Sequence, residues 1–215
     1  MKTNISNNIT ESDLNYWPGF IDIISSVLMI FILISVMRLI INVENIESLL
    51  IKSKQEIFSQ VFTKSFQYEL QTNRVHISSS GNLQQIRFSS EILFDIGSAD
   101  LSFKGKKILD RLGMVFKKTK ETANFKQIQV EGHTDDSPII RMKRFFPTNW
   151  ELSSQRSINV VKFFTNDCHF RISPKFFSAT GYSYYKPVTT RESMKALNRR
   201  IEIRLVYFSE FTKGL

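Results

Sequence analysis

The segment QIQVEGHTDD, Gln127–Asp136, opens as a short strand over Gln127–Glu131 and then turns abruptly polar at Gly132. The pattern changes on both sides of it. Upstream, Leu101, Gly105, Ile108, Leu112 and Val115 fall on one face of a helix spanning Leu101–Lys118. Downstream, Leu152–Phe164 reads as a second helix, and Phe176–Thr180 and Ile201–Val206 read as strands. Further back, Val75 and Ile77, then Ile86 and Phe88, alternate around Ser80-Gly81-Asn82 as in a hairpin. Strands alternating with helices predict an α/β (α+β) sandwich: one sheet with helices on one face.

The rest of the 215-residue chain is too short for a second large domain. Phe20–Ile41, FIDIISSVLMIFILISVMRLII, is long enough to cross a ~30 Å hydrocarbon core as a helix. It lacks the basic leader and small-residue cleavage site of a signal peptide, so it reads as an uncleaved anchor. The expected organisation is a tail over 1–17, a transmembrane helix over 18–42, a helical linker over 43–74 and a domain over 75–210. In the linker Ile46, Leu50, Ile57 and Val61 form one stripe, and Phe58, Phe62, Phe66 and Leu70 recur every four residues. Such a helix either packs on the domain or pairs with a second copy, and the period does not separate the two.

The net charge is +9, with a pI near 9.7. Residues 75–215 carry 23 Lys and Arg against 13 Asp and Glu, so the basic excess belongs to the C-terminal part. A basic domain suits a polyanion, whether nucleic acid or cell-wall polymer. Lys104, Lys106, Lys107, Lys117 and Lys118 read as the solvated face of the first helix. Arg141, Lys143 and Arg144 are candidates for extra contacts to an anionic polymer. Cys168 is the only cysteine, which excludes an internal disulfide and a multi-thiolate metal site. His133, Asp135 and Asp136 are too close in sequence to make a tetrahedral metal site, and no distant fourth ligand is apparent. Without a nucleophile–base pair, a phosphate loop or a metal signature, neither an enzyme nor a cofactor is expected.

Five segments in order, FDIGSADL (Phe94–Leu101), VEGHTDD (Val130–Asp136), NWELSSQRS (Asn149–Ser157), FSATGY (Phe177–Tyr182) and NRRIEI (Asn198–Ile203), resemble the OmpA C-terminal-like domain, above all its MotB-type stator version. The resemblance covers roughly Phe88–Tyr207 and implies a mixed sheet with two main helices. It implies binding of the peptide stem of peptidoglycan. Asp135 would meet the ammonium of a diaminopimelate residue and Arg156 would clamp a stem carboxylate; Thr134, Asn149, Leu152 and Ser153 match positions lining the same pocket. An acid and a base at fixed separation suit a zwitterion, and guanidinium grips carboxylate in a fork. Thr148-Asn149-Trp150-Glu151 also fits a helix-capping box, so Glu151 and Asn149 have a purely local reading. Two departures stand out: Ser157 replaces the usual Ala, and GYSYYKPV from Gly181 replaces a GYGE-like turn.

Peptidoglycan lies outside the inner membrane, so the resemblance implies a bacterial single-pass inner-membrane protein with a cytoplasmic N-terminus and a periplasmic domain. The charges flanking the span weakly favour the reverse orientation. The wall-binding motifs override them, which also removes nucleic acid as a partner. Asp22 lies near the start of the span, where an ionisable group is expensive and commonly marks a partner or an ion path. After Trp17-Pro18 it could also sit at the headgroups and start the helix. The order aromatic, four residues, Asp, then a long apolar run resembles the MotB-type subunit, whose aspartate binds the translocated ion. Ser25 and Ser26 share its helical face, and Arg38 is expected to snorkel at the far end. The implied partners are a second copy of the chain, a ring of multi-span MotA- or ZorA-like subunits, and peptidoglycan. The nearly neutral tail and the WPGFID lead-in look more like the ZorB subunit of Zorya antiphage defence than a flagellar MotB. A non-conducting wall tether is the remaining alternative.

Overall fold

A computed structural model describes residues 16–95, 97–123, 125–139 and 144–207. The tail through residue 15, Ile96, and Arg141 and Lys143 of the basic loop lie outside the described residues, as does the chain after Tyr207. Two compact units are present, Met1–Ile46 and Glu47–Leu215.

Helix α1 (Trp17–Ser65) begins with proline at its second position, where the missing N–H is no loss. It continues without interruption through the expected boundary near residue 42. Among the described residues it is the one helix long and apolar enough to cross a membrane by length and composition. Within the first unit its apolar side chains, from Phe20 to Ile41, are exposed all round the helix. That is the surface of a helix that needs lipid or a protein partner.

In the second unit the end of α1 belongs to the domain core. Phe58 and Phe62 of α1, and Phe66 just past its end, are fully buried and stack at i, i+4, with ring centroids 5.9 and 4.5 Å apart. In the other linker stripe Leu50 and Ile57 stay exposed, whereas Val61 is partly buried against the core. Gln55 fixes the helix to the hairpin, donating to the carbonyl of Gly81 at 3.0 Å while its own carbonyl accepts from Gln84. A short α2 (Gln67–Gln71) leads into β1 (Val75–Ser80) and β2 (Leu83–Ser89). Their two-residue turn uses Gly81 at φ 56°, the left-handed conformation such a tight hairpin demands.

After α3 (Ser90–Leu93), Leu101 is not the first helical residue. It bridges to Phe94, and α4 spans Phe103–Ala123. The reason is Ser102, whose hydroxyl accepts the Gly105 N–H at 2.9 Å and so starts the helix after itself. The inward face of α4 is Ile108, Leu109, Leu112, Val115 and Phe116, and its five named lysines are exposed as read. Strand β3 (Phe125–His133) exceeds the expected Gln127–Glu131 at both ends. Helix α5 (Asn149–Lys162) starts three residues before Leu152 and gives way to a wider π turn over Phe163–Asp167. Cys168 follows, buried against Gly113, its thiol 3.4 Å from Asp110 Oδ1. Burial raises its pKa to about 11.

With β4 (Phe177–Gly181) and β5 (Arg200–Tyr207) the sheet has the order β1-β2-β5-β3-β4. Only the β3–β4 pair is parallel, as expected for strands joined through a crossover helix, here α5. The mixed sheet and the helices on it are the α+β sandwich that the sequence predicts. Ile86, Phe88, Ile128, Val130, Ile201, Ile203 and Leu205 make its apolar face and join Phe58, Phe62 and Phe66 and the inward face of α4 in one core.

Candidate functional site

The candidate pocket forms where β3 ends and α5 begins. The two elements touch backbone to backbone, since a Cβ on Gly132 would collide with the carbonyl of Ser153 and one on Gly181 with Ser154. Glycine in the GHTD run therefore sets the depth at which α5 sits. Thr148 caps α5 through the Trp150 N–H at 3.2 Å, and Glu151 returns to the Thr148 N–H at 2.9 Å, a complete capping box. Glu151 thus has the local role. Asn149 has a further one, donating to the carbonyls of Asp135 and Ser137 at 3.3 and 3.1 Å and so holding the turn that presents Asp135.

Asp135, Thr134, Ser153, Leu152 and Arg156 are all buried and lie around this junction. The Thr134 N–H donates to Ser183 O, and the Ser183 N–H donates to Ser153 Oγ at 3.0 Å. Arg156 lies over the Phe94 ring, 5.1 Å from its centroid, and donates from Nε to Ser98 O at 2.9 Å. Among the described residues no acceptor pairs with its terminal nitrogens, which remain available to a ligand. Burial, and then the neighbouring Arg199 charge, lower its pKa to about 10, opposed by Asp135, so it is charged at neutral pH.

Arg199 is the residue the sequence reading left out. It lies in the NRRIEI run and donates to Asp135 Oδ2 at 2.7 Å and to Glu91 at 2.9 Å. Its own burial works against the charged form, and the two carboxylates outweigh it and raise its pKa. Arg199 thus occupies one oxygen of the Asp135 carboxylate. Arg199 stands just before β5, between the short 3-10 helix Glu192–Asn198 and Arg200, the first residue of that strand, which joins the outer-face network instead.

That network lies across the other face of the sheet. Glu131 of β3 stands directly opposite Glu202 of β5, a like-charge pair that is unfavourable on its own. Arg204 binds Glu131 at 3.0 Å, and Arg200 and Arg87 bind one oxygen of Glu202 at 2.6 and 3.2 Å. His133, 1% exposed, directs Nε2 toward both carboxylates at 3.7 and 4.0 Å. His133 is therefore grouped with Glu131 and Glu202, not with Asp135 and Asp136. The ligand atoms of this trio lie within 4.8 Å of one another. However, three guanidiniums already outnumber the two carboxylates, an unfavourable setting for a divalent ion. Burial, then the Arg200 charge, hold the His133 pKa below its usual 6.5 against the pull of the two glutamates. Burial pushes Glu131 up, but His133 and Arg204 prevail and hold it below the usual 4.5.

Asp22 belongs to the separate N-terminal unit. Its side chain is exposed, and the Ser25 hydroxyl donates to its backbone carbonyl at 2.9 Å rather than to its carboxylate.

A mixed sheet with helices on one face, with a buried aspartate and a buried arginine around the junction of β3 and α5, is a fold of the OmpA C-terminal kind. Residues 93–200 match the OmpA family, and the chain belongs to that family. Its relatives point to the MotB type. Motility protein B of Bacillus subtilis (strain 168) is 29% identical over 164 residues, 73% of this chain and 55% of that protein. Uncharacterized protein YtxE of the same organism is 36% identical over 115 residues, 52% of this chain and 43% of that protein. The chain thus spans about half the length of these curated relatives. A MotB-like protein from Desulfovibrio vulgaris superposes with a TM-score of 0.64 at 26% identity, over 76% of this chain and 99% of that one. The cell wall anchor of the T6SS from Pseudomonas aeruginosa gives 0.54 at 25% identity, over 68% and 96%.

Proposed function

We propose that the domain binds the peptide stem of peptidoglycan and that the chain is the wall-anchored B subunit of a MotA/MotB-like rotary motor. The observation that carries the wall-binding reading is the Arg156 guanidinium, buried and charged, with its terminal nitrogens open beside Asp135. Such a pair reads a zwitterion: carboxylate on Arg156, ammonium on Asp135 after Arg199 swings aside to Glu91 or to the ligand. Thr134, Asn149, Leu152 and Ser153 shape the walls.

The motor reading adds the first unit. In the proposed organisation residues 18–42 cross the bacterial inner membrane with the N-terminus cytoplasmic, residues 43–74 link, and 75–210 lie in the periplasm. Asp22 carries the ion, a proton, and two copies of the chain stand within a ring of multi-span MotA- or ZorA-like subunits. The exposed Leu49, Leu50 and Ile57 of α1 support pairing of two copies. The WPGFID lead-in supports a divergent stator such as the ZorB subunit of Zorya antiphage defence over a flagellar MotB. Similarity to the cell wall anchor of the T6SS favours a second reading, a tether that conducts nothing.

Co-sedimentation of the detergent-solubilised chain with purified peptidoglycan tests the pocket. Asp135→Asn and Arg156→Ala should each weaken binding about tenfold or more, the value of a charge-assisted hydrogen bond in a buried site. Unchanged sedimentation of both variants overturns the pocket. The mass of the complex purified through a tag on this chain tests the motor. Two copies in a ring of a multi-span partner, inactive but still assembled with Asp22→Asn, support it, and a lone monomer or dimer leaves the tether.

A further inference from the structure

Trp150, Tyr184 and Tyr185 form an aromatic stack on the lip of the candidate pocket. The Tyr185 ring lies 5.4 Å from Trp150 at 26° and 4.4 Å from Tyr184 at 25°. Despite this stacking the three residues remain 48, 60 and 38% exposed in the order Trp150, Tyr185, Tyr184. A contiguous exposed aromatic surface on a folded domain marks a contact site.

The backbone that displays the tyrosines is held firmly. Tyr182 N–H donates to Gly132 O at 2.9 Å, Ser183 is tied to Thr134 and Ser153, and Tyr185 N–H donates to Tyr182 O at 3.1 Å. The Tyr182 ring is clamped between His133, 5.3 Å away and nearly parallel, and Lys186 Nζ, 3.6 Å from its centroid. Buried Ser183 takes φ 51°, a left-handed conformation that disfavours a residue with a Cβ. Such strain persists where the surroundings over-determine it, and it concentrates at sites of function. Here it turns two successive tyrosines outward beside Trp150, whose own position is set by the capping box of α5.

The chemistry of the surface defines its ligand. Flat faces rimmed by two phenol hydroxyls, 3.2 Å apart, suit a ring that is apolar on its face and polar at its edge, which is a pyranose. Of the nearby charges, Lys195 is paired with Asp136 at 3.0 Å and with Glu192 at 2.6 Å, and Lys186 lies over the Tyr182 ring. The platform adjoins the pocket in sequence on both sides: Trp150 follows Asn149, and Tyr184 follows Ser183. The stem proposed to bind at Asp135 and Arg156 is covalently joined, through its first residues, to a sugar of the glycan.

We propose that Trp150, Tyr184 and Tyr185 are a saccharide-stacking platform that takes an N-acetylated hexopyranose unit of the wall glycan beside the bound stem. The proposal rests on the wall-binding reading of the pocket, and two separate ligands tell their failures apart. The chain has two tryptophans, so Trp17→Phe leaves Trp150 as the only fluorophore of its kind. The full chain carrying that change, in a detergent without a sugar headgroup, is titrated with chitotetraose and, separately, with a diaminopimelate-containing stem tripeptide. Chitotetraose should change Trp150 emission saturably, and Tyr185→Ala should weaken its binding at least fivefold. Tyr184→Ala serves in its place if Tyr185→Ala loses its native circular dichroism. No saturable response to chitotetraose while the tripeptide binds overturns the platform and leaves the pocket standing. A response to chitotetraose that neither tyrosine variant alters also overturns it. Chitotetraose binding with an inert tripeptide supports the platform and removes the stem pocket.

Discussion

The two faces of strand β5 are built on different principles. Ile201, Ile203, Leu205 and Tyr207 point into a core of aromatic rings, whereas Arg200, Glu202 and Arg204 point into a lattice of opposite charges. The apolar side is non-directional, and its stability scales with buried area. The charged side is directional. Each carboxylate there has named guanidinium partners, and removing one partner strands another in a poorly solvated place. One strand thus carries a face indifferent to pH and a face that responds to it.

Breaking the apolar face should cost most. Phe62→Ala removes a fully buried ring from the middle of the α1 stack and should destabilise the domain by about 4 kcal/mol, read as a lower urea midpoint at unchanged slope. On the charged face Glu202→Gln leaves buried Arg200 without its carboxylate and should cost about 3 kcal/mol by the same measurement. A loss under 1 kcal/mol would mean that the lattice is decorative.

The pH response sharpens the contrast further. The folded His133 pKa lies below the usual 6.5, so the unfolded chain binds more protons as the solution is acidified. Its contribution is complete above about pH 6.5 and is lost as pH falls through the folded value. Glu131 has the same sign and adds a second loss below its usual 4.5. The urea midpoint should fall in two stages on acidification, and His133→Gln should remove the first stage only. The smallest effect is expected at the pocket's rim. Ser183→Gly relieves the left-handed strain and an unsatisfied buried hydroxyl, and should stabilise the domain by about 1 kcal/mol.

The apolar face was legible in the sequence because periodicity reports it directly. Phe58, Phe62 and Phe66 recur every four residues, and Ile201 and Ile203 alternate as a half-buried strand should. Their burial in the domain settles what the period left open for that stripe. The ends of elements were less legible, since they depend on single hydrogen bonds. Ser102 starts α4 and Thr148 starts α5, and both boundaries moved by two or three residues from the expected ones. The motifs placed Asp135, Asn149 and Arg156 at one junction. Arg199 escaped because its partners, Asp135 and Glu91, are 64 and 108 residues away and no local pattern links them. The grouping of His133 with Glu131 and Glu202 depends on strand register, which the sequence of one strand alone does not contain.

The buried thiol of Cys168 has a practical consequence. A cysteine that remains protonated near pH 7 and is closed off by Gly113 and Asp110 should not react with maleimides in the folded protein. The chain is therefore a ready-made background for single-site labelling. A cysteine placed at an exposed position such as Ser80 would be the sole reactive handle, and a membrane-impermeant reagent applied to whole cells would then report directly on which side of the bilayer the domain resides.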